Sequence, residues 1–542
     1  MNNNFYIVPP AQNEPVLSYA PGTQEREELK HTLECFNNGM VEIPMVIGGK
    51  EVKTNDHVDI APPHNHKHKI GFYHKGGKEH LQMAIDAALA AKEKWENMSW
   101  KSRASIFLKA ANLLAGPYRY RMNAATMIGQ SKNPFQSEID AVAELVDFFR
   151  FNVRYMTEIM EQQPQSNAMN WNRTEQRPLE GFVLAISPFN FTSIGGNLPT
   201  APAMMGNTVV WKPAQTQAYS ARIIMEILQE AGLPDGVINM VFVSGRDTSD
   251  VCFNHRDFAG VHFTGSTAVF QDIWKTIGNN IHNYKSYPRI VGETGGKNFI
   301  LVHDSARASQ VGTAITRGGF EYQGQKCSAV SRVYISKKFW PIIKEEIKCD
   351  LDMMKMGSPD DFGNFFNAVI DEKAFNNISG FIDRAKEAKD AEIIFGGSYD
   401  KSVGYFIEPT VILTTNPHYE TIEEEIFGPV VTIYLYEDGK FEETIDLVNN
   451  TSIYGLTGAI FAKDRAVVEL ALQKLKHAAG NFYINDKPTG AVVGQQPFGG
   501  GRGSGTNDKA GSSINLLRWV SPRTIKENFL PDNSFKYPFL GE

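Results

Sequence analysis

The sequence predicts an α/β protein whose main element is a doubly wound parallel sheet. Short apolar runs, such as FVLAI at 182–186, alternate with segments whose apolar residues recur every three or four positions. Strands that alternate with helices in this way imply parallel strands covered by helices on both faces. With 542 residues the chain is too long for one small domain, and we expect two or three.

The amino-terminal part of the chain is predicted to be an arm followed by helices. Residues 1–30 are polar and contain prolines, which indicates an arm on the surface. Apolar residues at helical spacing predict three helices, at 79–95, from Ser102 onward, and at 137–152. Before them, His64, His66 and His68 alternate as in a strand. A metal site is one reading, but no cysteine or carboxylate cluster accompanies them, so a solvated loop or edge is favoured and no metal is expected.

Apolar runs also predict two successive α/β units. In the first we expect strands at 182–186, 208–211, 237–243 and 260–264, and a helix at 220–231. In the second we expect strands at 298–302, 329–335 and 392–395, and helices at 339–350 and 374–386. The last stretch, 514–526, is predicted to be extended. Ligands bind such sheets beyond the carboxyl ends of the strands, where Asn190, Lys212, Gly245 and Gly265 fall.

Composition and charge argue against several classes of partner. The net charge of -7 and the pI near 6.1 give no reason to expect nucleic acid or an anionic membrane. No apolar run approaches the roughly 18 residues that cross a bilayer. The four cysteines are scattered without a CxxC pair and indicate reduced thiols in a reducing compartment. Residues 1–5 lack the arginine-rich pattern of a mitochondrial transit peptide.

Cys327 is the strongest candidate for covalent chemistry. A cysteine is nucleophilic as the thiolate, and the neighbouring Lys326 is expected to lower the pKa of the thiol. Gly324 lets the backbone approach a ligand closely. The alternative is that Cys327 is a small buried apolar group, as most free cysteines are.

A dinucleotide site has only weak support from local motifs. Neither GxGxxG nor GxxxxGK[ST] occurs anywhere in the chain. The nearest pattern is FTGST at 263–267, a strand-to-helix turn that would turn the amino terminus of a helix toward a pyrophosphate.

Several motifs lie in a fixed order around Cys327. They are SPFNF at 187–191, GETGGK at 292–297, QKC at 325–327 and EEIFGP at 424–429. Together they resemble the aldehyde dehydrogenase superfamily, from about Asn13 to Glu527. Three later motifs narrow the resemblance to the branch that oxidises glutamate γ-semialdehyde to glutamate: GNFYINDKPTG at 480–490, VGQQPFGG at 493–500 and SGTNDK at 504–509.

The resemblance implies a Rossmann-type NAD-binding domain, an α/β catalytic domain and a small β oligomerisation element. The implied division is 1–292 for the arm and NAD-binding domain, with an oligomerisation segment near 155–178, then 293–500 for the catalytic domain and 501–542 for a return segment and oligomerisation tail. In the resembled family a similar tail pairs with the partner's sheet, so a homodimer or an assembly of dimers is expected.

The same resemblance assigns the catalytic residues. Cys327 would attack the aldehyde carbon, and the Asn190 amide and the Cys327 backbone N–H would donate to the oxyanion. Glu293 would be the base that activates water, a role that requires partial burial to raise its pKa toward neutrality.

The cofactor implied is NAD. By resemblance Lys212 reaches the adenosine ribose, Glu425 binds the nicotinamide ribose hydroxyls and Phe427 lies beside the ring. Further expected contacts are Ser187, Pro188, Phe189, Gln215, Gly245, Gly265, Ser266 and Glu293. Gln215 is neutral where NAD-selective relatives often carry glutamate, so no charge there opposes NADP. Phe270 stands where many relatives have glycine, which suggests a bulky side chain near the cofactor.

The expected substrate is a small zwitterion. Its carboxylate needs fixed donors, because a buried anion without them is very unfavourable. By resemblance the Ser328 hydroxyl and the backbone N–H groups of Gly490 and Ala491 provide them. Three further contacts are implied, two aromatic rings beside the aliphatic stem and one carboxylate near the substrate nitrogen: Phe191, Phe498 and Glu144.

Alternatives remain open at this point. The chain could be an aldehyde dehydrogenase for another semialdehyde, a non-catalytic scaffold of the same fold or a thiol hydrolase. Proline degradation in the mitochondrial matrix is implied by the resemblance, with the cytoplasm as the alternative compartment.

Overall fold

The computed structural model describes residues 6–541. Residues 1–5, where a targeting pattern was sought, and residue 542 lie outside the described residues. The strands in chain order are β1 Val41–Ile43, β2 Met45–Ile47, β3 Lys50–Val52, β4 His57–Ile60, β5 Gly71–His74, β6 Asn170–Pro178, β7 Phe182–Ile186, β8 Thr208–Lys212, β9 Ile238–Met240, β10 Phe258–Thr264, β11 Arg289–Glu293, β12 Asn298–Val302, β13 Val330–Ser336, β14 Ala391–Phe395, β15 Tyr399–Asp400, β16 Phe406–Ile407, β17 Thr410–Thr414, β18 Val430–Tyr436, β19 Tyr454–Gly455, β20 Thr457–Phe461, β21 Asn481–Ile484, β22 Gly501–Arg502 and β23 Val520–Asn528.

The α-helices are α1 Gln24–Asn38, α2 Lys78–Glu96, α3 Trp100–Ala115, α4 Arg119–Gln130, α5 Pro134–Ser137, α6 Glu144–Glu161, α7 Thr192–Met204, α8 Ala218–Ala231, α9 Gly245–Cys252, α10 Thr267–Asn279, α11 Ala308–Phe320, α12 Trp340–Met353, α13 Glu372–Glu387, α14 Glu420–Glu423, α15 Phe441–Asn450, α16 Arg465–Lys474 and α17 Ser513–Leu517. A π-helical segment spans Glu138–Ala143, and short 3-10 turns span Gln215–Gln217, Glu321–Gly324 and Pro538–Leu540.

Two seven-stranded sheets organise the chain. The first has the order β11-β10-β7-β8-β9-β2-β3, and its strands from β11 to β9 pair in parallel. The second has the order β14-β17-β18-β13-β12-β20-β21 and is parallel except for the edge strand β14. Helices bury apolar faces against both sheets, which accounts for the continuous apolar runs of the central strands. The predicted α/β class is confirmed.

The connections between the sheets position the site. Strand β11 of the first sheet ends at Glu293, and β12 of the second begins five residues later at Asn298. The segment that carries Cys327 leads directly into β13, a central strand of the second sheet. The two sheets therefore bring GETGGK and the cysteine segment to the same region of the molecule.

Three predictions about local structure are wrong in part. The arm at 1–30 gives way to a helix at Gln24, since Leu29 and Leu33 face a core. The helix expected at 137–152 is split, because it starts as α5 and passes through the π-helical segment before α6. The stretch 514–526 is not extended throughout, because it begins with α17 and only then forms β23, which pairs with β6 of the same chain.

The alternating histidines lie in a loop between β4 and β5. His64 is buried, whereas the rings of His66 and His68 bond to the backbone oxygens of Lys401 and Asn37. Across residues 6–541, no group of three or more His, Cys, Asp or Glu side chains is arranged to hold a metal ion. In the same range, no helix is both long and apolar enough to cross a membrane.

Candidate active site

Cys327 follows a strained turn. Tyr322, Gln323 and Gly324 adopt positive φ values of 52°, 54° and 65°, a region that non-glycine residues rarely occupy. Buried side chains hold this conformation: the Tyr322 hydroxyl donates to the Gln130 oxygen at 2.8 Å, and Gln323 Nε2 donates to the Ala368 oxygen at 2.7 Å. The turn fixes the path of the chain into Cys327.

The environment of the Cys327 thiol differs from the expectation. Burial raises the pKa of Cys327 to about 12, and the carboxylates of Glu425 and Glu293 add to the rise. Lys326 does not lower it, because its Nζ bonds to the Gln136 amide oxygen and lies 3.4 Å from Asp140 Oδ2. The prediction that Lys326 activates the thiol is therefore wrong, and deprotonation requires a base.

A cavity of about 440 Å³ opens on one side of Cys327. It is lined by all six residues that were predicted to contact the substrate: Glu144, Phe191, Ser328, Gly490, Ala491 and Phe498. The sequence reasoning missed other lining residues, which come from the arm, from α11 and its following turn, and from the loop after β21: Asn13, Glu14, Arg317, Glu321, Lys487 and Thr489. Lys487 and Thr489 belong to the GNFYINDKPTG motif, but the sequence did not assign them a contact, and the other four reach the cavity from distant parts of the chain.

One end of the cavity presents hydrogen-bond donors near Gly490. The Ser328 and Thr489 hydroxyl oxygens lie 2.7 Å apart. Gly490 has a φ of +92°, and a Cβ there would lie 2.9 Å from Lys487 Nζ. The positive φ favours glycine, which leaves the backbone accessible beside that ammonium group.

The other wall of the cavity carries Glu144. Burial raises its pKa to about 8, with a further rise from Asp140, and Ser193 Oγ donates to Glu144 Oε2 at 2.5 Å. The adjacent Phe191 ring is held in place by Lys132, whose Nζ lies 4.5 Å from the ring centroid. Lys132 is paired with Asp140 at 2.7 Å.

Asn190 lies beside the cysteine segment. Its Nδ2 donates to the Gln325 backbone oxygen at 3.0 Å, which uses one of the two amide hydrogens and fixes the side chain. The Cys327 backbone oxygen is itself held by Asn298 Nδ2 at 2.7 Å. Asn190 therefore keeps one donor for another oxygen.

Glu293 is a half-buried carboxylate at the end of β11. Burial raises its pKa well above the ordinary value, while the Gly500 N–H, at 3.2 Å, and the nearby Lys509 oppose the rise. Its charge acts on the Cys327 thiol, which places the two groups in one electrostatic environment. A carboxyl with a raised pKa is suited to accept a proton from a thiol or from water.

Glu425 is held against the GETGGK turn. Its Oε1 accepts from the Gly296 N–H at 2.8 Å, and a Cβ on Gly295 would lie 2.2 Å from Oε2. Burial raises the pKa of Glu425 to about 7. A cavity of about 20 Å³ beside it is also lined by Lys297 and Phe427.

Lys297 was not singled out from the sequence. Burial lowers its pKa to about 7, and within the described part of the chain its Nζ has no hydrogen-bond partner. The charge of Glu425 acts on it. The ammonium thus faces the same small cavity as the Glu425 carboxylate.

The remaining predicted cofactor residues lie at the carboxyl edge of the first sheet. Ser187 follows β7 and Lys212 ends β8, and burial lowers the pKa of Lys212. Ser266 precedes α10, and among residues 6–541 no side chain caps the start of that helix. By contrast Gly245 opens α9, whose first turn is capped by Ser244. The start of α10 is therefore the better of the two for an anion.

The other cofactor candidates differ in how exposed they are to solvent. Gln215 lies exposed in a 3-10 turn after β8, and Phe189 packs edge-on against Phe427 at 5.8 Å. Phe270 is buried: it stacks on Phe263 at 5.3 Å, and a Cβ on Gly292 would lie 2.2 Å from its ring. Its bulk therefore fills the space over Gly292. Pro188 and Gly265 continue the turns after β7 and β10.

Comparison with known proteins identifies the relatives of this chain. It is 53% identical over 536 residues to the delta-1-pyrroline-5-carboxylate dehydrogenase, mitochondrial, of Dictyostelium discoideum, covering 98% of this chain and 96% of that protein. The human protein of the same name is 47% identical over 529 residues, covering 97% and 94%. The structure of the Mycobacterium tuberculosis delta-pyrroline-5-carboxylate dehydrogenase bound with NAD matches with a TM-score of 0.96 at 48% identity, covering all of both chains.

The chain also matches a protein family as a whole. The family described as the aldehyde dehydrogenase family matches residues 51–525, which include both seven-stranded sheets from β3 onward and every catalytic candidate. The chain belongs to the aldehyde dehydrogenase family.

Proposed function

We propose that the protein oxidises L-glutamate γ-semialdehyde to L-glutamate with NAD as the electron acceptor. The semialdehyde forms when water opens the ring of 1-pyrroline-5-carboxylate, and the reaction is the last step of proline degradation to glutamate. The observation that carries the proposal is that Cys327 and the three anchor residues Ser328, Gly490 and Ala491 line one cavity. Relatives at 46% to 53% identity bear the corresponding name.

The first chemical step is attack by Cys327 on the aldehyde carbon. Because burial raises the pKa of the thiol, Glu293 takes its proton, and the sulfur then bonds to the carbon while the carbonyl electrons move to oxygen. The second hydrogen of the Asn190 amide and the Cys327 N–H donate to that oxyanion. Loss of one such donor costs about 100- to 1000-fold in rate.

Residues on both sheets fit NAD. When bound, NAD supplies the acceptor for the hydride that leaves the substrate carbon. The uncapped start of α10 suits its diphosphate, and Lys212 and Glu425 suit the two ribose groups. Glycine at 295 is required by the position of Glu425, which is consistent with a carboxylate fixed for a ligand. Gln215 carries no charge that would oppose a 2′-phosphate, so the choice of NAD rests on the relatives.

Release of the product requires water. The acyl group on Cys327 Sγ is a thioester. Glu293 first releases to solvent the proton that it took from the thiol, and the carboxylate then takes a proton from water so that the oxygen can attack the acyl carbon. Cys327 then leaves as the thiolate, and glutamate is set free. Burial raises the pKa of Glu293 and so makes its carboxylate a better proton acceptor.

The substrate is bound by both ends. Ser328 and the N–H groups of Gly490 and Ala491 receive its carboxylate, Phe191 and Phe498 flank its stem, and Glu144 faces its ammonium group. Glu144 is fixed by Ser193, and Phe191 by Lys132. A neutral aldehyde would leave these polar groups without partners.

Formation of NADH from 1-pyrroline-5-carboxylate by the purified protein tests the proposal. We expect a much higher kcat/KM than with succinate semialdehyde, which lacks the ammonium group. Equal efficiency would favour a broader semialdehyde dehydrogenase. Ester hydrolysis without any aldehyde oxidation would favour a thiol hydrolase, and no turnover of either kind would favour a scaffold.

We also propose a homodimer in which the ribbon of β6 and β23 meets the partner. Among residues 6–541 no third strand pairs with this ribbon, and its edges carry the exposed Trp171 and Phe529. We propose the division into an NAD-binding part at 1–292, a catalytic part at 293–500 and a tail at 501–542. The tail then contains β23 of the proposed dimer ribbon. Because several relatives are named mitochondrial, we propose the mitochondrial matrix as the compartment.

A further inference from the structure

A group of charged residues at the anchor end of the cavity is not used by the mechanism above. Glu321 is 3% exposed, and three cations surround it. Arg317 Nε lies 2.9 Å from its carboxylate, Lys487 Nζ lies 3.7 Å away and Lys326 Nζ lies 4.0 Å away. We call Arg317, Glu321 and Lys487 the anchor charge group.

The anchor charge group has more positive than negative charge. Lys326 also contacts Asp140 at 3.4 Å, but Asp140 is already paired with Lys132. The connected ion pairs thus join four cations, Lys132, Lys326, Arg317 and Lys487, to two carboxylates. The exposed Asp486 carboxylate accepts from the Lys487 backbone N–H and acts on its charge from the solvent side. The Arg317 side chain is 46% exposed, so the shielded excess consists of the three lysines against the two carboxylates. A shielded excess of charge is unfavourable unless a ligand of opposite sign completes it.

Lys487 is the member of this group that lies nearest the anchor. Its Nζ donates to the Thr489 backbone oxygen at 2.9 Å, and the Thr489 hydroxyl contacts that of Ser328. The same Nζ is 2.9 Å from the point where a Gly490 side chain would begin. Its side chain is 17% exposed, so the ammonium is largely shielded from water. An ammonium uses three donor hydrogens, and Thr489 takes one.

We infer that Lys487 is a specificity-determining residue whose ammonium pairs with the carboxylate of the substrate. Arg317 and Glu321 act as positioning residues that hold Lys487 toward Gly490. The site therefore takes short aldehydes that carry an anionic group at the far end from the aldehyde, and it discriminates against neutral aldehydes of similar length. This inference rests on the proposed function and deepens it, because it assigns a charge to an anchor that otherwise consists of neutral donors.

A specificity role for Lys487 and a purely structural role have different measurable effects. A structural ion pair would, when removed, lower stability or reduce turnover of all aldehydes to the same degree. A specificity residue changes the ratio of kcat/KM between an anionic and a neutral substrate. It also changes the affinity of the enzyme for L-glutamate, which can be measured without turnover.

The experiment compares Lys487→Met with Lys487→Arg and with the control Lys476→Met. Methionine keeps much of the side-chain volume and removes the charge, arginine keeps the charge, and Lys476 is an exposed lysine in the turn between α16 and β21. Each protein is assayed with 1-pyrroline-5-carboxylate and with butanal, and L-glutamate binding is measured by calorimetry. Thermal unfolding of each variant is recorded alongside.

With Lys487→Met we expect kcat/KM for 1-pyrroline-5-carboxylate to fall about 10- to 150-fold, the range for loss of a hydrogen bond to a charged group. Efficiency with butanal should fall at most about threefold, and glutamate binding should weaken in parallel with the first substrate. Lys487→Arg should recover part of the loss, and Lys476→Met should match the native protein.

An unchanged ratio between the two substrates in Lys487→Met, with glutamate affinity retained, would overturn the inference. If Lys487→Met fails to fold, an equally large loss for both substrates in Lys487→Arg would overturn it, and a selective loss for the anionic one would support it. Native protein that oxidises butanal but not 1-pyrroline-5-carboxylate would instead refute the proposed function, so the two failures are distinguishable.

Discussion

Two cavities meet at the cysteine segment, and they differ in size and in the state of their charged groups. The substrate-side cavity encloses about 440 Å³ and the cofactor-side cavity beside Glu425 about 20 Å³, and Lys326 contributes to the walls of both. The anchor end of the first is built from backbone groups, hydroxyls and ion pairs. The second faces a carboxyl and an amine whose pKa values burial brings to about 7 from opposite sides, Glu425 and Lys297.

This difference separates recognition from chemistry. The N–H groups and hydroxyls of the anchor do not titrate in the working pH range, so their contribution to substrate binding is the same at every pH. Groups with pKa values near neutrality change their charge within that range. We therefore expect variants on the substrate side to change specificity and variants on the other side to change rate and pH dependence.

Cys327→Ala should produce the largest effect, because the sulfur serves both sides. We expect turnover to fall on the order of 10⁶-fold, as when a nucleophile is deleted from an enzyme, since no other group can hold the acyl intermediate. NAD affinity and thermal stability should remain, as alanine fits the buried site. NADH formation and calorimetric titration with NAD measure the two properties. Retained turnover would remove the mechanism.

Glu293→Gln should separate the chemistry from recognition. Loss of a general base typically costs about 100- to 10,000-fold, so kcat should fall by that range while KM for the substrate changes little. Steady-state kinetics of NADH formation measure both quantities. Asp508, another acid close to Glu293, offers a control through Asp508→Asn. A fall in substrate affinity alone would contradict the role of base.

The sequence predicted the strands and the composition of the cavity better than the electrostatics. Apolar runs identified β7, β8, β10 and β12 because buried parallel strands need uninterrupted apolar residues. The six substrate candidates line a single cavity, although their functional roles remain predictions. Resemblance located them through motifs, not through their physical properties.

What the sequence did not predict depends on contacts between distant segments. In the sequence Lys326 is adjacent to Cys327, but its ammonium contacts Gln136 and Asp140, which are far away in the chain. The π-helical segment before Glu144 was missed, because apolar spacing does not resolve one extra residue per turn. Lys297 is surrounded by residues from several segments, so no local pattern reveals its burial.

Ser328→Ala tests the substrate side. It removes one hydroxyl donor from the carboxylate anchor, and we expect kcat/KM for 1-pyrroline-5-carboxylate to fall about 10- to 150-fold. KM for NAD should stay unchanged, since Ser328 lines the larger cavity. Steady-state kinetics with each substrate varied in turn measure both. The exposed Ser402, replaced in Ser402→Ala, serves as the control. An equal rise in KM for 1-pyrroline-5-carboxylate and KM for NAD would contradict the separation between the substrate side and the cofactor side.

The pH dependence of NAD binding tests the cofactor-side cavity beside Glu425. Ionised Glu425 accepts hydrogen bonds from ribose hydroxyls, whereas the protonated form does so poorly. Burial raises the pKa of Glu425 to about 7. The ionised fraction of Glu425, and with it the affinity for NAD, should therefore fall about tenfold as the pH drops from about 8 to 6. Glu425→Gln should bind NAD more weakly at high pH and show a flatter profile. Calorimetry at several pH values measures this, and a flat profile in the native protein would contradict the assignment.

Asn13→Ala should give the smallest effect and confine it to the substrate side. Asn13 Nδ2 donates to Asp147 Oδ2 at 2.7 Å and to the Val493 oxygen at 2.8 Å, so the amino-terminal arm ties α6 to the loop that follows Gly490. Because neither bond reaches the substrate, we expect the loss to act indirectly and to cost about 2- to 12-fold, the range for one ordinary hydrogen bond. We expect KM for 1-pyrroline-5-carboxylate to rise by that factor while kcat and KM for NAD stay unchanged, because Asn13 lines the substrate-side cavity and does not line the cavity beside Glu425. Asn450→Ala, which removes a side-chain bond within α15, is the matched control. A change in NAD affinity instead would mean that the two sides are coupled through the loop, and the separation between recognition and chemistry would not hold.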